Sequence, residues 1–253
     1  IRDDGESQLV LDRDWRPLSF SGTGTAEPGD LVFAGYGLLA PAEGGFPAYD
    51  SYLDLDVTDK WVVVLRYLPE ELAPEHRQYL HEYADIRFKA MVARDKGARG
   101  LILVTGPSAQ VKEHLVPLTA EAGAGGGSLP VVSVTDPVAE RIFAAAGKDL
   151  AASQRTLDGG EPMPGFDLPG ARIGGEIRLE KRQASDRNVL GRLNAGEQPG
   201  DSLVAIGAHV DHIGLGEDKS SRDADPDAGK VHPGADDNAS GVAALLEIAQ
   251  HLL

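Results

Sequence analysis

An α/β fold is what this sequence predicts, and three observations predict it. Apolar runs of strand length, "KWVVVLRYL" (Lys60 to Leu68), "GLILV" and "LPVVSV", recur through the first half of the chain. Segments with helical spacing, "YADIRFKAMVARDKGARG" and "DPVAERIFAAAG", alternate with them. Unbroken apolar strands are a mark of strands buried on both faces, with helices covering the sheet. Third, a Gly- and Pro-rich stretch from about 150 to 170 reads as a connection and is followed by new strand-length runs and one long apolar helix pattern.

In order along the chain, residues 1–30 are polar and Gly-rich, with a short alternating stretch at "SQLVLD". "DLVFAGYGLLAP" reads as a strand entering a Gly-rich turn. The Lys60 to Leu68 run is a buried strand. The next segment has helical spacing through Ile86, Met91 and Val92 and closes on Gly97. "GLILVTGP" is a strand again, "EAGAGGGS" a glycine loop, and "LPVVSV" a further strand. In the helix that follows, Asp136 is the expected N-cap, with Pro137 at the first helical position and Gly147 at the stop. "LAASQRTLDGGEPMPGFDLPG" reads as a connection. Beyond it "GEIRLEKRQ" alternates as an exposed antiparallel strand does, "RNVLGRLN" reads as a second strand, and "SLVAIGAHVDH" as a third, buried on both faces from Leu203 to Ala208.

Composition narrows the function. The chain of 253 residues, 42% hydrophobic and 25% charged, has the make-up of a folded globular protein. A net charge of −16 and the lack of any Lys/Arg-rich run argue against nucleic acid or an anionic membrane as partner. There are 0 cysteines, which excludes disulfides, thiol catalysis and Cys-ligated zinc. No apolar run approaches the roughly 20 residues a membrane span needs. The chain opens "IRDDGESQLV" without an initiator Met and stops inside an apolar helical pattern, so it reads as a fragment of a longer protein.

Several motifs carry little. "GAGGGS" lacks the spacing of a dinucleotide fingerprint, and no P-loop Lys follows a glycine run. "NASG" around Ser240 lacks the first glycine of a nucleophile elbow. His76 and His81 read as solvated charges beside Glu75 and Glu82, and "PAYDSYLDLD" as a surface loop. "DADPDAG" in the acidic loop 217–229 departs from the EF-hand pattern at its fourth, sixth and twelfth positions.

Chemistry concentrates near the end of the sequence. His209 and Asp211 stand at the carboxyl end of an expected strand, where open α/β sheets build ligand sites. Two apart on a strand, their side chains share a side. A carboxylate there can take the imidazole N–H and leave the other nitrogen for a metal. Asp236, Asp237 and Asn238 then precede "ASGVAALLEIAQHLL", whose Val242, Leu245, Leu246, Ile248, Ala249, Leu252 and Leu253 form one apolar stripe. A helix cap needs one such acid or amide, not three. A divalent cation turns the repulsion of adjacent carboxylates into attraction.

"GAHVDHIGLG" followed by "HPGADDNASGVAALLEIA" resembles the paired signature of the di-zinc exopeptidases, which include bacterial leucine-type aminopeptidases and glutamate carboxypeptidase. Upstream, "GDLVFAGYGLLAP…KWVVVLRYLPE…KAMVARDKGARGLILV…LPVVSV" is similar to the protease-associated domain carried by many such enzymes. The resemblance implies a small, β-rich α/β protease-associated domain over 23–165, inserted in or attached to the first part of a zinc exopeptidase α/β sandwich. Residues 1–22 would be an N-terminal segment, open to assignment to the peptidase domain, and 166–253 the incomplete N-terminal portion of that domain. It further implies His209 as a zinc ligand, Asp236 as the carboxylate bridging two zinc ions, Asp211 as the orienter of His209, and Asp237 as a support beside the bridge. It places a cis peptide bond between Asp236 and Asp237. The catalytic glutamate and the remaining ligands belong, in that family, after the Asp-Asp helix. The fragment alone is therefore expected to bind metal weakly and to be inactive.

The function so implied is a zinc-dependent aminopeptidase acting on peptide or protein N-termini through a water activated by two metals. Two other readings stand beside it: a non-catalytic, receptor-like binding module of the same fold, and a glutaminyl-cyclase-like transferase with one zinc. The expected location is extracellular or periplasmic, with any signal peptide outside this sequence. Side-chain preference and oligomeric state are not encoded in any recognisable motif.

Overall fold

The computed structural model describes residues 2–3, 5–109, 114–118, 127–180, 187–194, 201–214 and 231–252. The chain divides into two units, Ile1–Lys181 and Arg182–Leu253. Both the acidic loop 217–229 and most of the "EAGAGGGS" stretch lie outside the described residues.

The first unit is built on a six-stranded sheet. Its strands are β1 (Trp15–Pro17), β2 (Gly24–Phe33), β3 (Trp61–Leu65), β4 (Gly100–Val104), β5 (Val131–Val134) and β6 (Phe166–Ile177). Their spatial order is β6-β2-β3-β4-β5-β1. The inner four run parallel, with Leu31 opposite Trp61, Val62 opposite Leu101 and Leu101 opposite Val131. Both edge strands are antiparallel to their neighbours. The unit is thus α/β, as expected.

Every residue of β3, β4 and β5 is buried. Alternate side chains go to opposite faces of a sheet, so an unbroken apolar strand needs cover on both sides. On one face Leu31, Phe33, Val63, Ile102 and Val134 pack with Val138, Ile142, Phe143, Leu150 and Leu157 from helices α3 (Asp136–Ala145) and α4 (Leu150–Asp158). On the other, Val32, Val62, Val64, Leu101 and Leu103 pack against Ala90, Val92 and Ala93 of α2 (Ile86–Asp95). The rings of Phe33 and Phe143 meet edge-on with centroids 5.0 Å apart, and Phe166 of β6 joins them at 5.3 Å from Phe33.

Several local expectations need correction. Asp136 does not cap α3: Thr135 holds the N-cap position, and the buried Asp136 carboxylate accepts from Gly106 N–H at 2.9 Å and pairs with His114. Gly147 does close that helix, at φ +67°. On α2, Asp85 caps through the N–H groups of Arg87 and Phe88, but Met91 points outward and Lys89 inward. The supposed connection after Gly147 contains α4, capped by Asp149 on Ala152 N–H. Its apolar contacts, Leu150 and Leu157, lie two turns apart, too sparse to give a period among the glycines and prolines that follow.

A short helix, α1 (Pro74–His81), was likewise not expected, and its one buried residue, Leu80, explains why. His76 on it is not a solvated charge. Its ring stacks on Phe46 with centroids 5.1 Å apart. Strand β6 starts well before "GEIRLEKRQ", pairing along β2 from Phe166 opposite Phe33 to Ile177 opposite Gly24. It therefore lies within the first unit, where the sequence reading had put the start of the following domain. Its register shifts around Gly170, whose φ is +85° and whose added Cβ would stand 2.7 Å from Ala145 O.

In the second unit the segments 187–194 and 201–213 form no ladder among the described residues. Leu203, Val204 and Ile206 are exposed, contrary to the burial expected from Leu203 to Ala208. An apolar run becomes a buried strand only where neighbours cover both its faces, and the described residues of this unit supply none. The expected helix is present as α5 (Ser240–Leu252), with no residue buried. Among the described residues no helix is long and apolar enough to cross a membrane.

Candidate metal centre

The residues singled out near the end of the sequence do converge. Segment 201–213, outside any helix or strand, delivers His209, Asp211 and His212. The chain returns at His232, whose N–H donates to Gly214 O at 2.7 Å. Gly234, at φ +58°, then opens a wide turn, Ala235–Ala239, in which Asp237 and Asn238 have non-helical backbone. The turn closes through Ala239 N–H to Gly234 O at 3.1 Å, and α5 follows.

His209 Nε2 lies 3.1 Å from Asp237 Oδ1. The ring's other nitrogen, Nδ1, is 2.8 Å from the backbone carbonyl of Asp211, while the Asp211 carboxylate is 3.6 Å away. With Nδ1–H donating to that carbonyl, the tautomer leaves the Nε2 lone pair facing Asp237. The contact between Asp211 and His209 thus runs through the Asp211 main chain, the carboxylate being beyond hydrogen-bond range. This is not the side-chain contact that the i, i+2 spacing led us to expect.

Asp236 stands elsewhere. Its backbone carbonyl accepts from Ser240 Oγ at 2.9 Å, and its carboxylate lies 3.4 Å from the same hydroxyl. The carboxylate that meets His209 is Asp237, the residue expected only to support the bridge. The cis peptide bond is also one place further on than expected, at Asp237–Asn238. His212, which the sequence reading passed over, brings Nδ1 to 3.6 Å from Asp237 Oδ2. Its signal was present in "HVDH", as a second imidazole three residues after the first.

Two neighbouring donors on one tetrahedral zinc, at bond lengths of about 2.0–2.2 Å, lie roughly 3.3 Å apart. The His209–Asp237 pair has that spacing, and nitrogen with carboxylate oxygen is an ordinary zinc donor set. It supplies one edge of a site. Among the described residues no group of three or more His, Cys, Asp or Glu gathers to hold a metal. All of the site's side chains have solvent access, from 25% for His212 to 79% for Asp211.

The first unit has a cleft of about 1050 Å³ at the start of α3. Four of its charged or titratable groups are paired: Arg13 with Asp14 at 2.8 Å and His114 with Asp136 at 2.8 Å. Hydrogen bonds from Arg13 and from the Val10 N–H hold the Asp14 carboxyl down to about 2. Two ion pairs thus stand at the wall of that cleft.

Residues 188–253 match the family model described as Peptidase family M28. No curated protein matches the chain. Members of that family are metallopeptidases, generally zinc-dependent, so the C-terminal stretch is similar to a hydrolase of that type.

Proposed function

We propose that this protein is a zinc-dependent aminopeptidase, with His209 and Asp237 among its metal ligands. The observation that carries the reading is the 3.1 Å approach of His209 Nε2 to Asp237 Oδ1, inside the stretch that matches a peptidase family. His209 would ligate through Nε2, with its ring fixed by the Asp211 carbonyl. Asp237, not Asp236, would take the shared-carboxylate role, since it is the acid that meets His209. Zinc, when bound, supplies Lewis acidity that polarises a scissile carbonyl and lowers the pKa of water. The chain's own residues present the donors, and the Gly234 turn holds the acid against the imidazole. The substrate class would be peptides with a free N-terminal amine. The first unit, a protease-associated domain in this reading, would contribute substrate contacts or limit access.

The reading is tested by zinc titration against a chromophoric chelator. His209→Ala and Asp237→Asn should each weaken zinc binding by about 100-fold or more, above the 10- to 100-fold typical of outer-shell changes. Asp236→Asn should weaken it much less. Equal losses at Asp236 and Asp237 would remove the ligand assignment. A chain that binds no zinc would favour the metal-free binding module instead. The substrate class is tested on the protein with whatever further sequence it carries, by release of amine from aminoacyl substrates and none from their N-acetylated forms.

A further inference from the structure

Of the side chains around Asp237, His212 is the best covered: 25% of it is exposed, against 53% for His209 and 71% for Asp237 itself. What covers it is the main chain at Gly234. A Cβ placed on Gly234 would stand 2.7 Å from His212 Cγ and 2.8 Å from its Cβ, and 2.7 Å from Asp237 O. No other residue fits that point, because the backbone there also needs φ +58°. One glycine thus lets the imidazole of one segment and the main chain of the other close to contact. The ring so seated directs Nδ1 toward Asp237 Oδ2 at 3.6 Å, while Oδ1 faces His209.

We propose that His212 is a positioning residue for the metal-binding carboxylate: seated on Gly234, it steers Oδ2 of Asp237 so that Oδ1 is held opposite His209 Nε2. This rests on the reading of His209 and Asp237 as metal ligands. An aspartate has two side-chain torsions, and at 71% exposure little but its two imidazole neighbours selects among its rotamers. A donor at Oδ2 narrows that choice before the ion arrives, as outer-shell partners of metal ligands do. The contact is longer than a hydrogen bond and becomes one with a shift of about half an ångström. The Nδ1–H tautomer of a neutral ring suffices, so no charge on His212 is required.

The test is zinc affinity, by chelator competition, in the protein with whatever further sequence it carries and in four variants of it. His212→Ala should weaken binding by about 10- to 100-fold. His212→Asn, whose amide N–H₂ takes the place of Nδ1–H, should restore it to within a few fold. In the Asp237→Asn background, adding His212→Ala should cause no further loss, because the group it acts through has gone. Unchanged affinity in His212→Ala, equal loss in His212→Ala and His212→Asn, or full additivity with Asp237→Asn would each overturn the proposal. If Asp237→Asn loses zinc and His212→Ala does not, the metal site stands and the positioning role falls. If the unmodified chain binds no zinc, both fall.

Discussion

Lys89 gives a quantitative test of the first unit. Its side chain is fully buried on α2, and its ammonium donates to the carbonyls of Leu65, Arg66 and Tyr67 at 3.0, 3.1 and 2.9 Å. Burial pushes its pKa down to about 7, against a smaller upward pull from Asp85. In an unfolded chain lysine titrates near 10.4. Between those values the unfolded state holds a proton that the native state lacks, so stability must rise with pH. The limiting slope is about 1.4 kcal/mol per pH unit. Allowing for half-titration at pH 7, the gain from pH 7 to pH 9 integrates to about 2 kcal/mol. Below about pH 6 both states are protonated and the cost of burying the charge is constant.

The three carbonyls act in the other direction, because hydrogen bonds to the charged form raise the pKa. The prediction commits to burial outweighing them. Urea unfolding followed by tryptophan fluorescence is the assay, since both tryptophans, Trp15 and Trp61, lie in the first unit. At an m-value of about 2 kcal/mol/M, the midpoint should rise by about 1 M between pH 7 and pH 9. Lys89→Met should abolish most of that rise. If the difference between the two proteins is the same at both pH values, the ammonium stays charged throughout and the reasoning fails.

Two further predictions concern the same unit. Above about pH 10 the trend should reverse: burial raises the phenol pKa values of Tyr36, Tyr49 and Tyr52, so the unfolded chain loses those protons first and stability falls. Base titration monitored by tyrosinate absorbance should show the ionisation of these three only with unfolding. Gly100→Ala should destabilise the unit by about 1–3 kcal/mol, as overpacking does. The added Cβ would stand 2.8 Å from Trp61 Cη2 and closer still to Cζ3 and Cε3. The indole must move, so tryptophan emission should shift along with the urea midpoint; an unchanged midpoint would mean that the ring has room.

The sequence foretold the parallel strands because burial on both faces leaves a mark that needs no context: Val62, Val63 and Val64 are apolar whichever face they take. Helices α1 and α4 left almost none, since Leu80 in one and Leu150 with Leu157 in the other are too few for a period to emerge. Lys89 misled for a different reason. A lysine counts as polar in any periodicity, yet here it is buried because three carbonyls at the end of β3 need donors, and only the tertiary structure brings them to α2.

The candidate metal centre was legible as a composition and not as a geometry. Two adjacent aspartates beside a distant His-x-Asp point to a candidate cation site, whichever of them turns inward. Choosing between Asp236 and Asp237 depends on the backbone of one turn. Gly234 at φ +58° and the non-helical angles of Asp237 and Asn238 set which carboxylate reaches His209; of these only the glycine's leaves a trace in the sequence, and it does not say which acid turns in. The same turn explains why His212 was missed. Its part depends on a neighbour with no side chain at all, and a glycine more than twenty positions away in sequence gives no hint that an imidazole will lie on it.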